Sequence, residues 1–188
     1  MKNGKAENGM SYFPMFVDLE KKQILAVGAG TVGFRRISVL LSFGACVTVV
    51  DPESVFLEKL VKPGEETFLQ GGSICWLKGT YEEYRDTVLS RQPYFMVLTS
   101  TGHPDTDSQA AADGRRAGAF VSMASDRTQS DFYFPGIAAA GPVTAGVTAG
   151  GENHRLARIA SQEVRELFER KAEEWKRAAG EDKRRDSQ

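Results

Sequence analysis

Two hydrophobic rhythms alternate along the first two thirds of the chain. Short apolar runs at Gln23–Val27, Cys46–Val50, 73–77, 94–98 and Phe120–Met123 predict β-strands. Between them, apolar residues recur every three or four positions and predict helices over 31–43, 55–61, 81–91 and 106–117. The first helix carries Phe34, Ile37, Leu40 and Leu41 on one face, and Gly44 follows it where a helix commonly ends. The second is short, because Pro63-Gly64 closes it. Strands alternating with helices predict an α/β fold, a Rossmann-like doubly wound sheet of parallel strands covered on both faces.

Beyond Asp126 the rhythm changes. Residues 132–135 and 136–148 read as short β-type pieces rich in glycine and alanine. Val143, Ala145 and Val147 alternate with Thr144, Gly146 and Thr148, as in a half-buried strand. Asn153 can then cap a last helix bearing Leu156, Ile159, Ala160, Val164, Leu167 and Phe168. The sequence thus predicts a second small unit of a few strands and one helix. The polar residues 1–10 read as loose, and the charged stretch 171–188 as a fraying end.

Composition narrows the class without naming a chemistry. The 188 residues carry 24 basic and 25 acidic side chains, a net charge of −1, so no basic surface for nucleic acid is expected. No apolar run has the length of a membrane span, and residues 1–10 lack the apolar stretch of a signal peptide. Cys46 and Cys75 read as buried free thiols in a reducing, cytoplasmic setting. His103 and His154 are the only histidines, and no Cys/His spacing resembles a structural zinc site, so no resident metal is expected.

The strongest local signal is Gly28-Ala29-Gly30-Thr31-Val32-Gly33, which directly follows an apolar strand and opens an amphipathic helix. In that setting Gly28 permits a tight turn, Gly30 lets a pyrophosphate approach the backbone, and Gly33 lets the helix pack closely on the sheet. The amides around Thr31 and Val32 would face phosphate charge. Asp51, followed by Pro52, ends the second strand about twenty residues on, where a carboxylate accepts ribose hydroxyls. It would repel a 2′-phosphate, which favours NAD over NADP. Ser100 and Thr101 follow another strand at the same edge and either line the cofactor cleft or cap the next helix. Asp126 follows the last parallel strand and is either an acid–base group or a turn cap. His103 reads as a loop residue. His154 reads as solvated at the start of the last helix. Arg155, Arg158 and Arg165 either hold substrate carboxylates or form a wet helix face.

Taken in order, Phe13-Pro14-Met15-Phe16, Val27 to Arg36, Gly44 to Val50, Ser100-Thr101, Asp131 to Pro135, and Gly150-Gly151 leading to Leu156-Ala157-Arg158 resemble one known family. This is the precorrin-2 dehydrogenase and sirohydrochlorin ferrochelatase family, the NAD-dependent module of siroheme synthases. The resemblance implies a Rossmann domain over 11–126, a β-rich dimerisation segment over 127–152 and a C-terminal helical segment over 153–180. It implies a homodimer that exchanges strands and a helix, with a tetrapyrrole held in a cleft between the two units. NAD would oxidise precorrin-2 to sirohydrochlorin, and ferrous iron insertion would be a second activity of the same cleft. The large methyltransferase domain of the fused enzymes has no counterpart in these segments.

In the family a single aspartate after the last Rossmann strand takes the proton, and Asp126 is its nearest counterpart. The family often reads Asn-Val-Val-Asp-Asp-Pro where this chain has Ser122-Met123-Ala124-Ser125-Asp126-Arg127. An ungapped match puts Ser125 at the aspartate and Asp126 one place later. Either Asp126 substitutes through a local shift, or the carboxylate chemistry is weakened. Ala149 replaces a serine of some members, and His154 a common proline. A non-enzymatic NAD-sensing module or tetrapyrrole carrier is the competing reading.

Overall fold

The computed structural model describes residues 13–69, 71–91, 93–150 and 153–185; the side chains of residues 154 and 179–185 are not described. Two compact units are present, one over Val17–Tyr133 and one containing residues 134 onward together with residues 13–16. In the first, β1 (Gln23–Val27), α1 (Thr31–Ser42), β2 (Cys46–Val50), β3 (Glu66–Leu69), β4 (Gly72–Leu77), α2 (Tyr81–Ser90), β5 (Met96–Thr99), α3 (Pro104–Arg116) and β6 (Phe120–Met123) follow one another. A 3-10 turn at Arg127–Gln129 comes next.

The six strands form one sheet in the order β3-β4-β2-β1-β5-β6. All neighbours run parallel except β3, which pairs antiparallel with β4 at the edge. Strand order reverses at β1, so the loops leaving β1 and β5 flank a crevice at the carboxyl edge. In open α/β sheets that is where ligands bind.

Register explains the two faces. Leu25, Val27, Val50, Leu77, Val97, Val121 and Met123 share one face and pack with Tyr81, Val88, Ala110 and Ala111 of α2 and α3. Ile24, Ala26, Val47, Val49, Ile74 and Trp76 share the other face, all buried, beneath Ile37, Leu40 and Leu41 of α1. Strands buried on both faces must be apolar without alternation, which is why they read as continuous runs.

In the second unit, β7 (Gly136–Ala140) and β8 (Val143–Val147) form a hairpin. Helix α4 (His154–Arg185) lies against it, with Ala138, Ser161 and Phe168 buried. Asn153 caps α4 as the sequence predicts, its Oδ1 accepting from the Leu156 amide at 2.8 Å.

Several expectations change. Residues 55–61 form successive turns, closed by Leu60 and Val61 amides on the Leu57 carbonyl, because so short a segment cannot sustain a helical nucleus. Strand β3 is absent from the sequence pattern: Glu66 is exposed and Phe68 is 80% exposed, so the segment lacks the buried face that makes a strand legible. Helix α3 begins two residues early with Pro104 in its first turn, and β5 runs Met96–Thr99. Residues 132–135 form no strand. The charged end does not fray at 171 but continues α4 to Arg185. Phe168 meets Trp175 edge-on at 5.0 Å, and Lys171–Glu174 and Glu173–Lys176 pair along the helix. Cys46 and Cys75 are free thiols, half-buried on β2 and β4 rather than fully buried. Among the described residues no helix is long and apolar enough to cross a membrane.

Candidate dinucleotide site

The turn after β1 is held by backbone bonds at both ends. Gly28 N–H donates to the Val50 carbonyl at 2.9 Å, and Ser100 N–H donates to Val27 at 2.8 Å. Gly28 has φ 93°, a left-handed conformation, and a Cβ there would collide with the Ser100–Thr101 peptide. A Cβ on Gly33 would collide with the Gly28 carbonyl and the Ser100 hydroxyl, so the start of α1 sits directly on the turn. Around Gly30, by contrast, a Cβ would meet none of the described residues within 4 Å. The backbone is open to a ligand at that point.

Helix α1 begins at the same place without a side-chain cap; its N-cap is Gly30. Its first ladder bond runs from Phe34 N–H to the Gly30 carbonyl at 2.8 Å. The amides of Thr31, Val32 and Gly33 are therefore outside the ladder, at the positive end of the helix dipole. Helix α2 differs, because Thr80 and Glu83 form a reciprocal capping box there. Helix α3 also lacks a side-chain cap, at His103, but the uncapped start of α1 lies beside the open glycine.

Asp51 does more at this turn than the sequence suggests. Its Oδ2 accepts from the Ala29 amide at 2.6 Å and its Oδ1 from the Glu53 amide at 2.9 Å. Ser54, buried, donates its hydroxyl to the Ala29 carbonyl at 2.9 Å and accepts from Leu57 N–H at 3.3 Å. The Ala29 peptide is thus clamped on both sides by the loop after β2, in which Pro52 and Glu53 are exposed. Trp76 Nε1 donates to the Asp51 carbonyl at 2.8 Å and fixes where that loop starts.

Across the crevice, the Ser100 hydroxyl donates to the Gly28 carbonyl at 3.0 Å. Thr101 gives both its amide, at 3.0 Å, and its hydroxyl, at 2.8 Å, to Asp107 Oδ1. Both residues line the cleft, so lining and loop-fastening coincide in them. The cleft holds about 380 Å³ between Gly28–Gly30, the loop from Asp51 to Phe56, the start of α2 and the loop 100–106. Thr31 and Val32 are exposed beside it rather than lining it, and Gly33 is buried. At its rim Thr106 donates to Glu82 Oε1 at 3.0 Å; the backbone amide of Glu82 itself and then this hydroxyl hold the Glu82 carboxyl below its ordinary range. A shallower depression of about 480 Å³ on the outer side of α1, around Phe34 and Phe56, is almost wholly apolar. It lacks the converging polar groups of the cleft.

Asp126 lies at the same edge, half-buried, and caps the 3-10 turn. Its Oδ1 accepts from the Thr128 amide at 2.9 Å and hydroxyl at 2.6 Å, and its Oδ2 from Gln129 at 3.1 Å. The Thr128 hydroxyl, then Gln129, hold its carboxyl below the ordinary aspartate value. Ser125 beside it donates to Asp107 Oδ2 at 2.8 Å. His103 starts α3 at the cleft wall. Arg155 and Arg158 are exposed on α4, and Arg165 donates to the Ile137 carbonyl at 3.1 Å. Gly151 and the His154 side chain lie outside what is described. Among the described residues, no three His, Cys, Asp or Glu side chains gather as a metal site.

Ser54, Asp107 and the Ala29 peptide escape a reading of the sequence. A serine three residues before Leu57 is a local turn signal, but nothing in it points back to residue 29. Pro104-Asp105-Thr106-Asp107 looks like a solvated helix start, so a buried acceptor there leaves no trace in the pattern.

The open backbone at Gly30, the uncapped start of α1 and the Asp51 carboxylate fit a dinucleotide's pyrophosphate and ribose. Comparison with known proteins agrees. A family model described as "Putative NAD(P)-binding" matches residues 15–136. The "Probable multifunctional siroheme biosynthesis protein HemA" of Ruminiclostridium josui is 31% identical over 156 residues, 82% of this chain and 28% of its own length. The siroheme synthase of Photorhabdus laumondii is 28% identical over 160 residues, 85% of this chain and 31% of its own. The chain thus spans under a third of these curated relatives. The solved structure of "SirC, precorrin-2 dehydrogenase" shares the fold with a TM-score of 0.58 at 20% identity, over 84% of this chain and 71% of that one. The chain therefore belongs to the putative NAD(P)-binding family, and over most of its own length it is similar to siroheme synthases.

Proposed function

We propose that the protein oxidises precorrin-2 to sirohydrochlorin with NAD as oxidant. The observation that carries this reading is the glycine turn: open above Gly30, uncapped at α1, and flanked by Asp51. When bound, NAD supplies a nicotinamide ring that accepts a hydride from the macrocycle. The chain's own part is to bind and orient. Gly28, Gly30 and Gly33 shape the turn, the amides of Thr31 and Val32 meet the pyrophosphate, and Asp51 with Pro52 receives the adenosine ribose. Ser100 and Thr101 form the facing wall. Asp51 and Glu53 together disfavour a 2′-phosphate, so NAD is preferred over NADP.

Removing a hydride must be matched by loss of a proton, and Asp126 is the group we assign to take it. Its Oδ2, engaged only by Gln129 among the described contacts, is the receiving atom. The capping role of Asp126 and its depressed carboxyl supply one specific argument for the alternative, a tetrapyrrole carrier or NAD sensor without turnover. Ferrous iron insertion into sirohydrochlorin is a second proposed activity. Homodimer formation is proposed through the second unit, where Leu156, Ile159 and Leu167 leave an apolar face of α4 exposed.

The test is anaerobic. Purified protein, precorrin-2 and NAD should give NADH and sirohydrochlorin in equal amounts, and added ferrous iron then tests chelation. NAD binding without either product would replace the dehydrogenase with the sensor or carrier. Asp126→Asn should cut turnover and leave NAD affinity near the wild-type value; undiminished turnover removes Asp126 from the chemistry.

A further inference from the structure

Asp107 is fully buried in the first turn of α3, yet it does not cap that helix's own amides. Its three acceptor contacts go elsewhere: to the amide and hydroxyl of Thr101 in the loop after β5, and to the hydroxyl of Ser125 in the loop after β6. Both loops leave the carboxyl edge of the sheet, beyond the point where ladder bonds can hold them. Ser100, adjacent to Thr101, bonds the Gly28 carbonyl, so the loop that Asp107 fixes is also the loop that fastens the glycine turn. A buried carboxylate is tolerated only when its oxygens are hydrogen-bonded, and here every partner is a donor from another segment.

We infer that Asp107 is a positioning residue of the dinucleotide cleft: it sets the 100–103 wall against the glycine turn and locks the loop after β6 to it. The inference rests on the NAD-binding reading and extends it to a residue that touches no ligand. Geometry, rather than charge alone, is what the position requires. Asparagine can keep its Oδ1 on Thr101 and donate its amide to the Ser125 oxygen. Leucine has the same bulk and can do neither, leaving the Thr101 amide without its acceptor.

The experiment uses the full chain and NAD itself, with affinity measured by calorimetric titration well below the unfolding temperature, and the thermal midpoint measured separately. Asp107→Leu should weaken NAD binding about tenfold or more, and Asp107→Asn should stay within about threefold of wild type. Ser125→Ala, which removes one tie from an exposed residue, should weaken binding about threefold with an unchanged midpoint. If Asp107→Leu fails to fold, the affinity of Ser125→Ala decides between the outcomes. In precorrin-2 oxidation the Asp107→Leu loss should fall mainly in KM for NAD. Wild-type affinity in Asp107→Leu, or in Ser125→Ala where that variant decides, overturns the positioning role, as does an Asp107→Asn as impaired as Asp107→Leu. Failure of the wild-type chain to bind NAD overturns the NAD reading and this inference together; normal wild-type binding with unaffected variants overturns this inference alone.

Discussion

Asp107 and Asp113 stand less than two turns apart on α3, and both are buried, at 0% and 1% exposure. Asp107 accepts from one amide and two hydroxyls in loops at the carboxyl edge. Asp113 accepts from Arg85 at 2.7 and 2.9 Å, from Arg116 at 2.8 Å, and from Tyr81 at 3.1 Å and Gln109 at 3.2 Å. One carboxylate therefore fastens loops that shape a cleft, and the other joins two helices. Arg85 above all holds the Asp113 carboxyl far below the usual range, with Gln109, Tyr81 and Arg116 adding to it against the opposing effect of burial. Burial, with Asp113 next, pushes the Tyr81 phenol well above its ordinary value. The same residue type, on the same helix, is structural where it meets guanidinium groups and site-forming where it meets loop donors.

Breaking the Asp113 cluster should give the largest loss of stability. Asp113→Ala leaves two guanidinium groups and a buried phenol without their acceptor, and should destabilise the fold by about 3 kcal/mol in urea unfolding. In the chain that remains folded, NAD affinity should stay near wild type; a parallel loss of affinity would erase the distinction between the two carboxylates. Because the folded-state value lies below the ordinary 3.8, the contribution is present above that pH and lost as the pH falls below it toward the depressed value. Acid unfolding of wild type and Asp113→Asn should therefore converge at low pH.

Gly33→Ala attacks the other end of the comparison. Its Cβ meets backbone that cannot give way, so about 2 kcal/mol of stability and most NAD binding should go together. Retained binding would mean that α1 can lift off the turn. Asp51→Ala is gentler: it removes the proposed ribose acceptor and one side of the Ala29 clamp, and should weaken NAD about tenfold, near 1.4 kcal/mol. Equal affinity before and after would take Asp51 out of the site. The smallest effect is expected at Thr99, at the end of β5, whose Oγ1 is buried without a hydrogen-bond partner among the described residues. Thr99→Val keeps the shape and removes an unsatisfied group, so the urea midpoint should rise by about 1 kcal/mol equivalent, with NAD affinity unaltered.

How much is legible in the sequence differs between these regions. The strands of the sheet are readable because burial on both faces forces continuous apolar runs such as Ile24-Leu25-Ala26-Val27. The glycine turn is readable because its demands are local: a left-handed φ at Gly28, and no room for a Cβ at Gly33. Strand β3 is not, since an exposed edge strand is defined by its partner β4 and not by its own pattern. The end of α4 misleads because charge alone suggests fraying, whereas Trp175 reaches back to Phe168.

The alternation of strands and helices, the mostly parallel sheet, the glycine turn and the acidic residue that follows β2 are written in the sequence. These are properties of neighbouring residues, and the chain encodes them in composition and period. Contacts made in the folded chain settle the rest: Asp51 also clamps Ala29, Ser54 completes the clamp, Asp126 is bound up as a turn cap, and Asp107 serves two loops while Asp113 serves two helices. Each depends on which donor faces a carboxylate across a gap of many residues. A side chain's own identity, and its place in a helical period, carry no record of that.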